Sequence, residues 1–252
     1  MERGRIRTGW VLALTALLAC GTLAAALTAN SWKRAFRVAR VRTEGNRILA
    51  DSEITALARV PEQAPLYDVD LARARVRVMQ NPYVRSAALA RDIPDGLTIT
   101  VEERTPVAAL ALGRELYIDA RGFVLPRPRS GGLPDLPVIT GAVRAAECVP
   151  GHRTASAAVR GALEILNDAT AVGDDLYRLI SEVHCREDST FVLFTTESGV
   201  PVVFGRGDVA VKLLELDGFW KQIVSARGPS HLKTVDLRFA DQVVVRWDDG
   251  AQ

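Results

Sequence analysis

The sequence Gly205-Arg206-Gly207-Asp208 stands between an apolar, strand-like segment and a segment with helical periodicity, where a helix N-terminus could bind a phosphate. A dinucleotide-binding or Walker loop needs further glycines or a Gly-Lys-Ser/Thr, and neither occurs at this junction. Asp208 also places a carboxylate where the anion would lie. We therefore predict a tight turn and a helix that Asp208 caps, without a bound nucleotide.

Four side chains could in principle bind a metal ion, namely Cys148, His152, His184 and Cys185. They lack the paired C-x-x-C or H-x-x-x-H spacing of zinc sites, so the pattern does not favour a metal. In an oxidising compartment a disulfide between Cys148 and Cys185 is the more plausible interpretation. The sequence leaves open whether that disulfide forms.

Patterns typical of hydrolytic enzymes are weak in this chain. It contains no Gly-x-Ser-x-Gly, and Ser181 is near His184 because both belong to one predicted strand. No pair of carboxylates is set in an evident apolar pocket. We therefore predict that the protein is not an enzyme, with no catalytic residues, no cofactor, no metal and no small-molecule substrate.

The charge distribution argues against nucleic acid as a partner. The chain has 252 residues and a net charge of +2, and residues 1–29 carry all of that excess. Residues 30–252 hold 29 basic and 29 acidic side chains, whereas nucleic-acid-binding proteins have a strong basic excess. The length and the 48% apolar content suffice for one large domain or two small ones.

The run from Trp10 to Ala29 contains twenty residues without a charge. As a helix it would be about 30 Å long, the thickness of the hydrocarbon core of a bilayer. We predict a transmembrane helix over residues 10–30, preceded by a short tail over residues 1–9. A cleaved signal peptide is the alternative, although the apolar region of a signal peptide is usually about 7–15 residues long. Basic residues flank both ends, so charge alone permits either topology.

The segment after this run predicts a small α+β domain over residues 37–104, in the order β-α-α-β-β. Apolar residues recur at spacings of three and four in two helices, for which Asp51 or Ser52 and then Asp70 are the candidate N-caps. Alternating apolar residues predict the strands, and a Pro/Gly turn separates the last two.

Residues 105–248 predict a second, strand-rich domain, with one helix from Thr154 to Ala169 and a longer helix after Asp208. The predicted strands are Val107–Leu112, Glu115–Ile118, Leu176–Cys185, Thr190–Thr196, Val200–Phe204, Thr234–Phe239 and Gln242–Trp247.

Several short strings occur in the order and spacing of a POTRA domain. They are Glu44-Gly45-Asn46, Leu66-Tyr67-Asp68-Val69-Asp70, Asn81-Pro82-Tyr83-Val84, Arg91-Asp92-Ile93-Pro94-Asp95-Gly96-Leu97 and Val101-Glu102-Glu103-Arg104-Thr105-Pro106-Val107-Ala108. With the lone apolar segment before them, and with Val235-Asp236-Leu237-Arg238-Phe239 near the end, they resemble the bacterial cell-division family FtsQ, called DivIB in Gram-positive bacteria. The resemblance implies a POTRA domain followed by an FtsQ-type β domain with a curved antiparallel sheet.

The same resemblance implies a function and a location. It implies a single-pass protein of the inner membrane, with its C-terminal domain in the periplasm and concentrated at the division septum. Its role would be a non-enzymatic divisome scaffold that binds an FtsB/FtsL-like pair and links it to septal peptidoglycan synthesis. A POTRA-containing factor for outer-membrane protein translocation, assembly or chaperoning is the alternative.

The last predicted strand is apolar and ends the predicted fold, so it could be a sheet edge that accepts a partner strand. An interior strand that fills the core is an equally good interpretation of the same residues. The resemblance implies partner binding here, and the residues concerned are Arg238, Phe239, Val243, Val245 and Trp247. It implies that Arg238 pairs with an acidic residue, and that Phe239 and Trp247 are aromatic anchors. The family more often has Tyr where Phe239 stands and Gly near Gln242.

Overall fold

The computed structural model describes residues 10, 14–26, 28, 36–129 and 135–248. Residues 14–26 form a helix, α1. Within the part of the chain that the structure describes, no helix combines the length and the apolar character needed to cross a membrane. The predicted span over residues 10–30 includes residues 11–13, 27 and 29–30, which lie outside the described residues, as does the predicted tail over residues 1–9.

The chain divides into two compact units, one formed by Met1–Gln80 with Val84–Glu102 and the other by Asn81–Tyr83 with Glu103–Gln252. In the first unit the elements are β1 (Arg40–Glu44), α2 (Asp51–Ala58), a short 3-10 helix (Leu66–Asp68), α3 (Leu71–Val78), β2 (Val84–Asp92) and β3 (Gly96–Glu103). The sheet has the order β1-β3-β2, with β1 parallel to β3. This confirms the predicted β-α-α-β-β order.

Local contacts explain two of the strings noticed in the sequence of this unit. The Arg91 guanidinium donates hydrogen bonds to the carbonyl oxygens of Leu66, Tyr67 and Val69, at 2.9, 3.3 and 2.8 Å. One side chain of β2 therefore fixes the 3-10 helix between α2 and α3. Asp70 caps α3 as predicted, because its carboxylate accepts a hydrogen bond from the backbone N–H of Arg73.

The predicted cap of α2 was wrong. The N-cap residue is Ala50, and Asp51 is the first residue of the helix. The side chain that satisfies the backbone there is Glu53, which accepts from the N–H of Ala50 at 3.2 Å. An acidic residue in the first turn interacts favourably with the helix dipole without capping it, which explains why the sequence pattern suggested a cap.

The second unit is built on one nine-stranded sheet. Its strands are β4 (Pro106–Ala111), β5 (Glu115–Asp119), β6 (Val124–Pro126), β7 (Val138–Gly141), β8 (Ile180–Cys185), β9 (Phe191–Thr195), β10 (Pro201–Gly205), β11 (Leu232–Asp236) and β12 (Val244–Trp247). Their order is β12-β11-β10-β9-β8-β7-β4-β5-β6. The helices are α4 (Ala157–Val172), α5 (Asp174–Leu179), α6 (Val209–Phe219), a π-helical turn (Trp220–Val224) and α7 (Ser225–Arg227), with a 3-10 turn at Ala145–Glu147.

This sheet is mixed, so the expectation of an antiparallel sheet was wrong. The pairs β4/β7, β7/β8 and β10/β11 are parallel, and the other pairs whose register is known are antiparallel. Parallel neighbours need long crossover connections, and here α4 with α5 joins β7 to β8, while α6 joins β10 to β11. Both connections place apolar helix faces on the sheet, including Leu166 and Leu213, which are fully buried.

Two predicted elements have different boundaries. The segment predicted as the strand Leu176–Cys185 is the helix α5 up to Leu179 and becomes a strand only at Ile180, because Asp174 and Asp175 begin a helical turn. The helix predicted from Thr154 runs from Ala157 to Val172, with Ser156 as the residue whose side chain caps it. The strands β6 and β7 were not predicted.

Candidate functional site

The candidate site is the strand β12, which forms one edge of the nine-stranded sheet. It pairs antiparallel with β11, with Trp247 opposite Leu232, Val245 opposite Val235 and Val244 opposite Asp236. Among the residues that the structure describes, no strand lies on its other side. Of the two interpretations that the sequence left open, the structure therefore favours the sheet edge over the interior strand.

The backbone of β12 exposes hydrogen-bonding groups at alternate residues. The N–H of Asp248 donates to the carbonyl oxygen of His231 at 2.7 Å, so Asp248 directs its backbone groups toward β11. Because the direction alternates along an antiparallel strand, Arg246 and Val244 also face β11. The N–H and C=O groups of Val245 and Trp247 consequently point toward the open edge. None of these four groups has a hydrogen-bond partner among the described residues.

The side chains of the same strand alternate between the core and solvent. Val245 and Trp247, and Val243 just before the strand, are half-buried and pack against the hydrophobic core of the second unit. Val244, at 44% exposure, and Arg246 face solvent. Three of the predicted binding residues therefore turn their side chains inward and can offer a partner mainly their backbone. The predicted aromatic anchor Trp247 already has a packing role within the fold.

Arg238 is engaged inside the protein. Its guanidinium forms a bidentate ion pair with Asp236, with Nη2 at 2.6 Å from Oδ2 and Nε at 2.9 Å from Oδ1. The hydrogen bond from Arg238 lowers the pKa of Asp236 below its usual value. Gly205 leaves room for this arrangement, since a Cβ there would lie 2.9 Å from Cγ of Arg238. A carboxylate from a partner would have to compete with Asp236 for Arg238.

Phe239 is the predicted binding residue whose side chain is free to contact another molecule. It lies between β11 and β12 and is 51% exposed. The connection continues through Asp241, whose φ of 58° is left-handed. Asp is one of the residues that tolerate this conformation, so the turn forms here without a glycine.

The opposite edge of the sheet, β6, is closed by contacts within the second unit. The N–H of Val124 donates to the carbonyl of His152 and its C=O accepts from the N–H of Gly151, both at 2.9 Å. Pro126, two residues along and therefore facing the same way, has no N–H to offer. Its carbonyl accepts a 2.7 Å hydrogen bond from the Tyr83 hydroxyl, and burial raises the pKa of that phenol.

The turn before α6 is closed by a lysine and not by its acidic residue. Asp208 is the N-cap residue but its φ is 50° and its side chain makes no capping hydrogen bond, so the prediction that it caps the helix was wrong. The buried amino group of Lys212 instead donates to the carbonyl oxygens of Phe204 and Arg206, at 3.1 and 2.6 Å. A lysine bound to backbone carbonyls closes the turn from inside.

The cysteine and histidine side chains considered as metal ligands have other surroundings in the structure. Cys148 and Cys185 are both buried and free, and burial raises the pKa of the Cys185 thiol to about 12, so it stays protonated. Nδ1 of His184 forms a hydrogen bond with the Thr140 hydroxyl at 2.8 Å. Within the described ranges, no three His, Cys, Asp or Glu side chains are grouped closely enough to hold a metal ion.

One Ser-x-x-Lys spacing occurs in the chain, from Ser230 to Lys233. Ser230 lies in a turn and Lys233 is the second residue of β11, where its amino group is 2.9 Å from a carboxylate oxygen of Asp248. A lysine that is held by an ion pair on a strand is not placed to activate the serine.

Two family models match the chain. The model described as POTRA domain, FtsQ-type, matches residues 36–104, and the model described as Cell division protein FtsQ/DivIB, C-terminal, matches residues 108–238. The chain belongs to the FtsQ/DivIB family of cell division proteins. The resemblance noticed in the sequence is thereby confirmed, and a role in the division machinery follows from it.

Individual FtsQ proteins are similar over most of their length. The Cell division protein FtsQ of Rhodothermus marinus is 36% identical over 222 residues, which cover 85% of this chain and 79% of that protein. The one from Salinibacter ruber is 32% identical over 240 residues, covering 91% and 90%. The one from Syntrophotalea carbinolica is 31% identical over 217 residues, covering 85% and 75%.

The C-terminal model match ends at Arg238, immediately before Phe239 and all of β12. Family membership therefore establishes the fold up to the corner after β11, and the character of the edge strand has to be argued from its own geometry. Sequence reasoning missed Arg246, a charged residue of β12 that forms no ion pair within the described part of the chain. The visible signal was its place between Val245 and Trp247 in an alternating strand.

Proposed function

We propose that the protein is a non-enzymatic, membrane-anchored scaffold of the division machinery, and that its β12 edge captures an FtsB/FtsL-like pair by strand addition. Through that pair the scaffold is linked to septal peptidoglycan synthesis. Membership of the FtsQ/DivIB family supports the role in division. The partner and the mode of capture are proposed from the geometry of the edge.

The observation that carries the proposal is the open row of backbone groups on β12. The outward N–H and C=O groups of Val245 and Trp247 lack partners in the described chain, whereas β6 has its outward groups bonded or removed. A partner strand would pair with these groups and extend the sheet by one strand. In this mode the main chain supplies affinity and the side chains on either face supply specificity.

The predicted binding residues have different roles in this proposal. Val245 and Trp247 present backbone groups, and these two residues together with Val243 hold the strand on the core through their side chains. Phe239 supplies the exposed aromatic contact at the end of the strand. Arg238 fixes the corner through Asp236, and its side chain, 55% exposed, would lie beside the incoming chain.

The proposed location follows from the N-terminal sequence and from the family. The charge-free run of residues 10–30 would be the membrane anchor and residues 1–9 a cytoplasmic tail, which puts both folded units on the periplasmic side of the inner membrane at the septum. Because large domains translocate largely regardless of charge, the balanced charge of residues 30–252 is compatible with this topology.

The experiment that tests the proposal is the substitution Val245→Pro. Proline removes an N–H that points to the open edge and leaves the hydrogen bonds between β11 and β12 intact, so the fold should persist. The purified full chain in detergent micelles is titrated with the FtsB/FtsL-like pair encoded by the same genome. We expect the substitution to lower the affinity at least about a hundredfold, because the added strand can no longer approach.

The matched control is Val244→Pro, one residue away. There the lost N–H faces β11, so this variant should lose stability as well as binding. Thermal unfolding of both variants separates the two effects. If Val245→Pro remains folded and binds the pair as tightly as the unsubstituted protein, strand addition at β12 is ruled out.

A further inference from the structure

The outer face of β12 carries one cation without a partner, and its surroundings explain why. Arg246 is exposed on the face that it shares with Val244, and it forms no ion pair or side-chain hydrogen bond within the described residues. Directly across on β11 stands Thr234, which carries no charge. The nearby carboxylates of Asp236 and Asp248 are each already held by another cation.

These competing ion pairs are short. The Asp236 carboxylate accepts hydrogen bonds from Nε and Nη2 of Arg238. A carboxylate oxygen of Asp248 is 2.9 Å from the amino group of Lys233. Neither Asp236 nor Asp248 therefore has a carboxylate free to pair with Arg246. On its other side lies the open edge, where an added strand would place a side chain about 4.5–5.5 Å from it.

We infer that Arg246 selects the partner strand by its charge. The strand that β12 accepts carries Asp or Glu directly opposite Arg246, and an apolar residue two positions along, opposite Val244, which is 44% exposed. An opposite-charge pair in this position stabilises the pairing, and a cation opposite Arg246 disfavours it. The inference rests on the proposed function, because it names the chemistry of the strand that the same edge would receive.

This assignment differs from one based on Arg238. Both arginines are exposed at the edge, but a partner carboxylate would have to displace Asp236 from Arg238, whereas Arg246 has no internal carboxylate to release. An exposed cation that forms no ion pair within the described residues is the group that gains most from a carboxylate supplied by another chain.

The test uses charge reversal and a matched control at the other edge of the sheet. The full chain in detergent micelles is titrated with the FtsB/FtsL-like pair from the same genome, in low and in high NaCl. We expect Arg246→Gln to weaken binding about fivefold and Arg246→Glu about fiftyfold, with a flatter salt dependence for Arg246→Gln. The control Arg153→Glu makes the same charge change at an exposed position beside β6 and should bind like the unsubstituted protein.

The second arm changes each Asp and Glu of the partner pair to Lys, one at a time, and combines each with Arg246→Glu. One such substitution should restore most of the lost affinity. If Arg246→Glu binds as tightly as Arg153→Glu, or if it loses affinity and no partner substitution restores it, the inference is wrong. Val245→Pro distinguishes the two proposals. If this variant is folded and binds normally, strand addition itself is ruled out. If it loses binding while Arg246→Glu binds normally, only the charge selection is ruled out.

Discussion

The two edges of the nine-stranded sheet differ in how their outward backbone groups are treated. At β6 the outward N–H and C=O of Val124 are bonded to the segment at Gly151 and His152, and Pro126 has no N–H and receives the Tyr83 hydroxyl on its carbonyl. At β12 the corresponding groups of Val245 and Trp247 are left open. Exposed edges are normally blunted because they invite pairing with other chains. A sheet that blunts one edge fully and leaves the other open has one place for strand addition.

The largest effect is expected from Trp247→Asp, which tests whether β12 is held in place by its inward side chains. Trp247 packs on the core and the Arg227 guanidinium lies over its ring at 5.7 Å, so the substitution removes packing and puts a carboxylate against apolar surface. We expect the free energy of unfolding to fall by about 2–4 kcal/mol. Urea denaturation measures it, with the exposed Val244→Thr as the control. A stability equal to that of the control would show that β12 does not depend on its inward face.

The next effect concerns the closed edge. Tyr83→Phe removes the hydroxyl that satisfies the Pro126 carbonyl while keeping the ring, which is only 2% exposed. A half-buried carbonyl that loses its donor should lower the free energy of unfolding by about 1–2 kcal/mol. Tyr67→Phe is the control, because the Tyr67 hydroxyl forms no such bond among the residues that the structure describes. Equal stability of the two variants would mean that the Tyr83 hydroxyl contributes nothing to closing β6.

A smaller change in stability, with a clear change in binding, is expected for Phe239→Ala. Since Phe239 is 51% exposed and packs little, its removal should change the free energy of unfolding by less than about 0.5 kcal/mol. If it is the aromatic contact of the open edge, affinity for the FtsB/FtsL-like pair should drop about tenfold. Titration and denaturation of the same sample measure both. Unchanged affinity would show that the partner is bound by β12 without a contribution from Phe239.

The smallest effect concerns the corner between β11 and β12. The pKa of Asp236 is lowered in the folded state by Arg238, so its contribution to stability is present above the unfolded pKa of about 3.9 and is lost as pH falls through the lower folded value. The free energy of unfolding is measured from pH 6 to pH 2 for Asp236→Asn and for the unsubstituted protein. We expect it to fall less steeply with pH in the variant, by a difference that corresponds to less than one proton. Identical slopes would show that this pair is not coupled to folding.

The first unit was largely predictable because its signals are local. Helical spacing, the Asp70 cap and the Pro/Gly turn between β2 and β3 are each set by residues close together in the chain. In the second unit β6 and β7 have only three and four residues, and their pairing depends on partners far away in sequence, such as β8 for β7. Periodicity cannot identify strands that short.

The site was predictable in position but not in detail. An apolar last strand indicated β12, but its edge position depends on the parallel pairing of β10 with β11, which no local pattern reveals. The ion pair between Arg238 and Asp236 could have been suspected, since residues two apart lie on the same side of an extended chain. Arg246 is visible in the sequence, but its importance comes from the ion pairs that already engage Asp236 and Asp248, which only the coordinates show.

The alternation along β12 also has an evolutionary consequence. The hydrogen bonds that the backbone of Val245 and Trp247 would form with a partner do not depend on the side chains of the solvent face. Val244 and Arg246 can therefore change without loss of folding, provided that the partner strand changes with them. Two lineages that inherit the same edge can thus acquire different charges on this face, each matched by a compensating change in the partner. If one cell then held two such pairs, by duplication or horizontal transfer, each scaffold would bind its own partner and not that of the other pair.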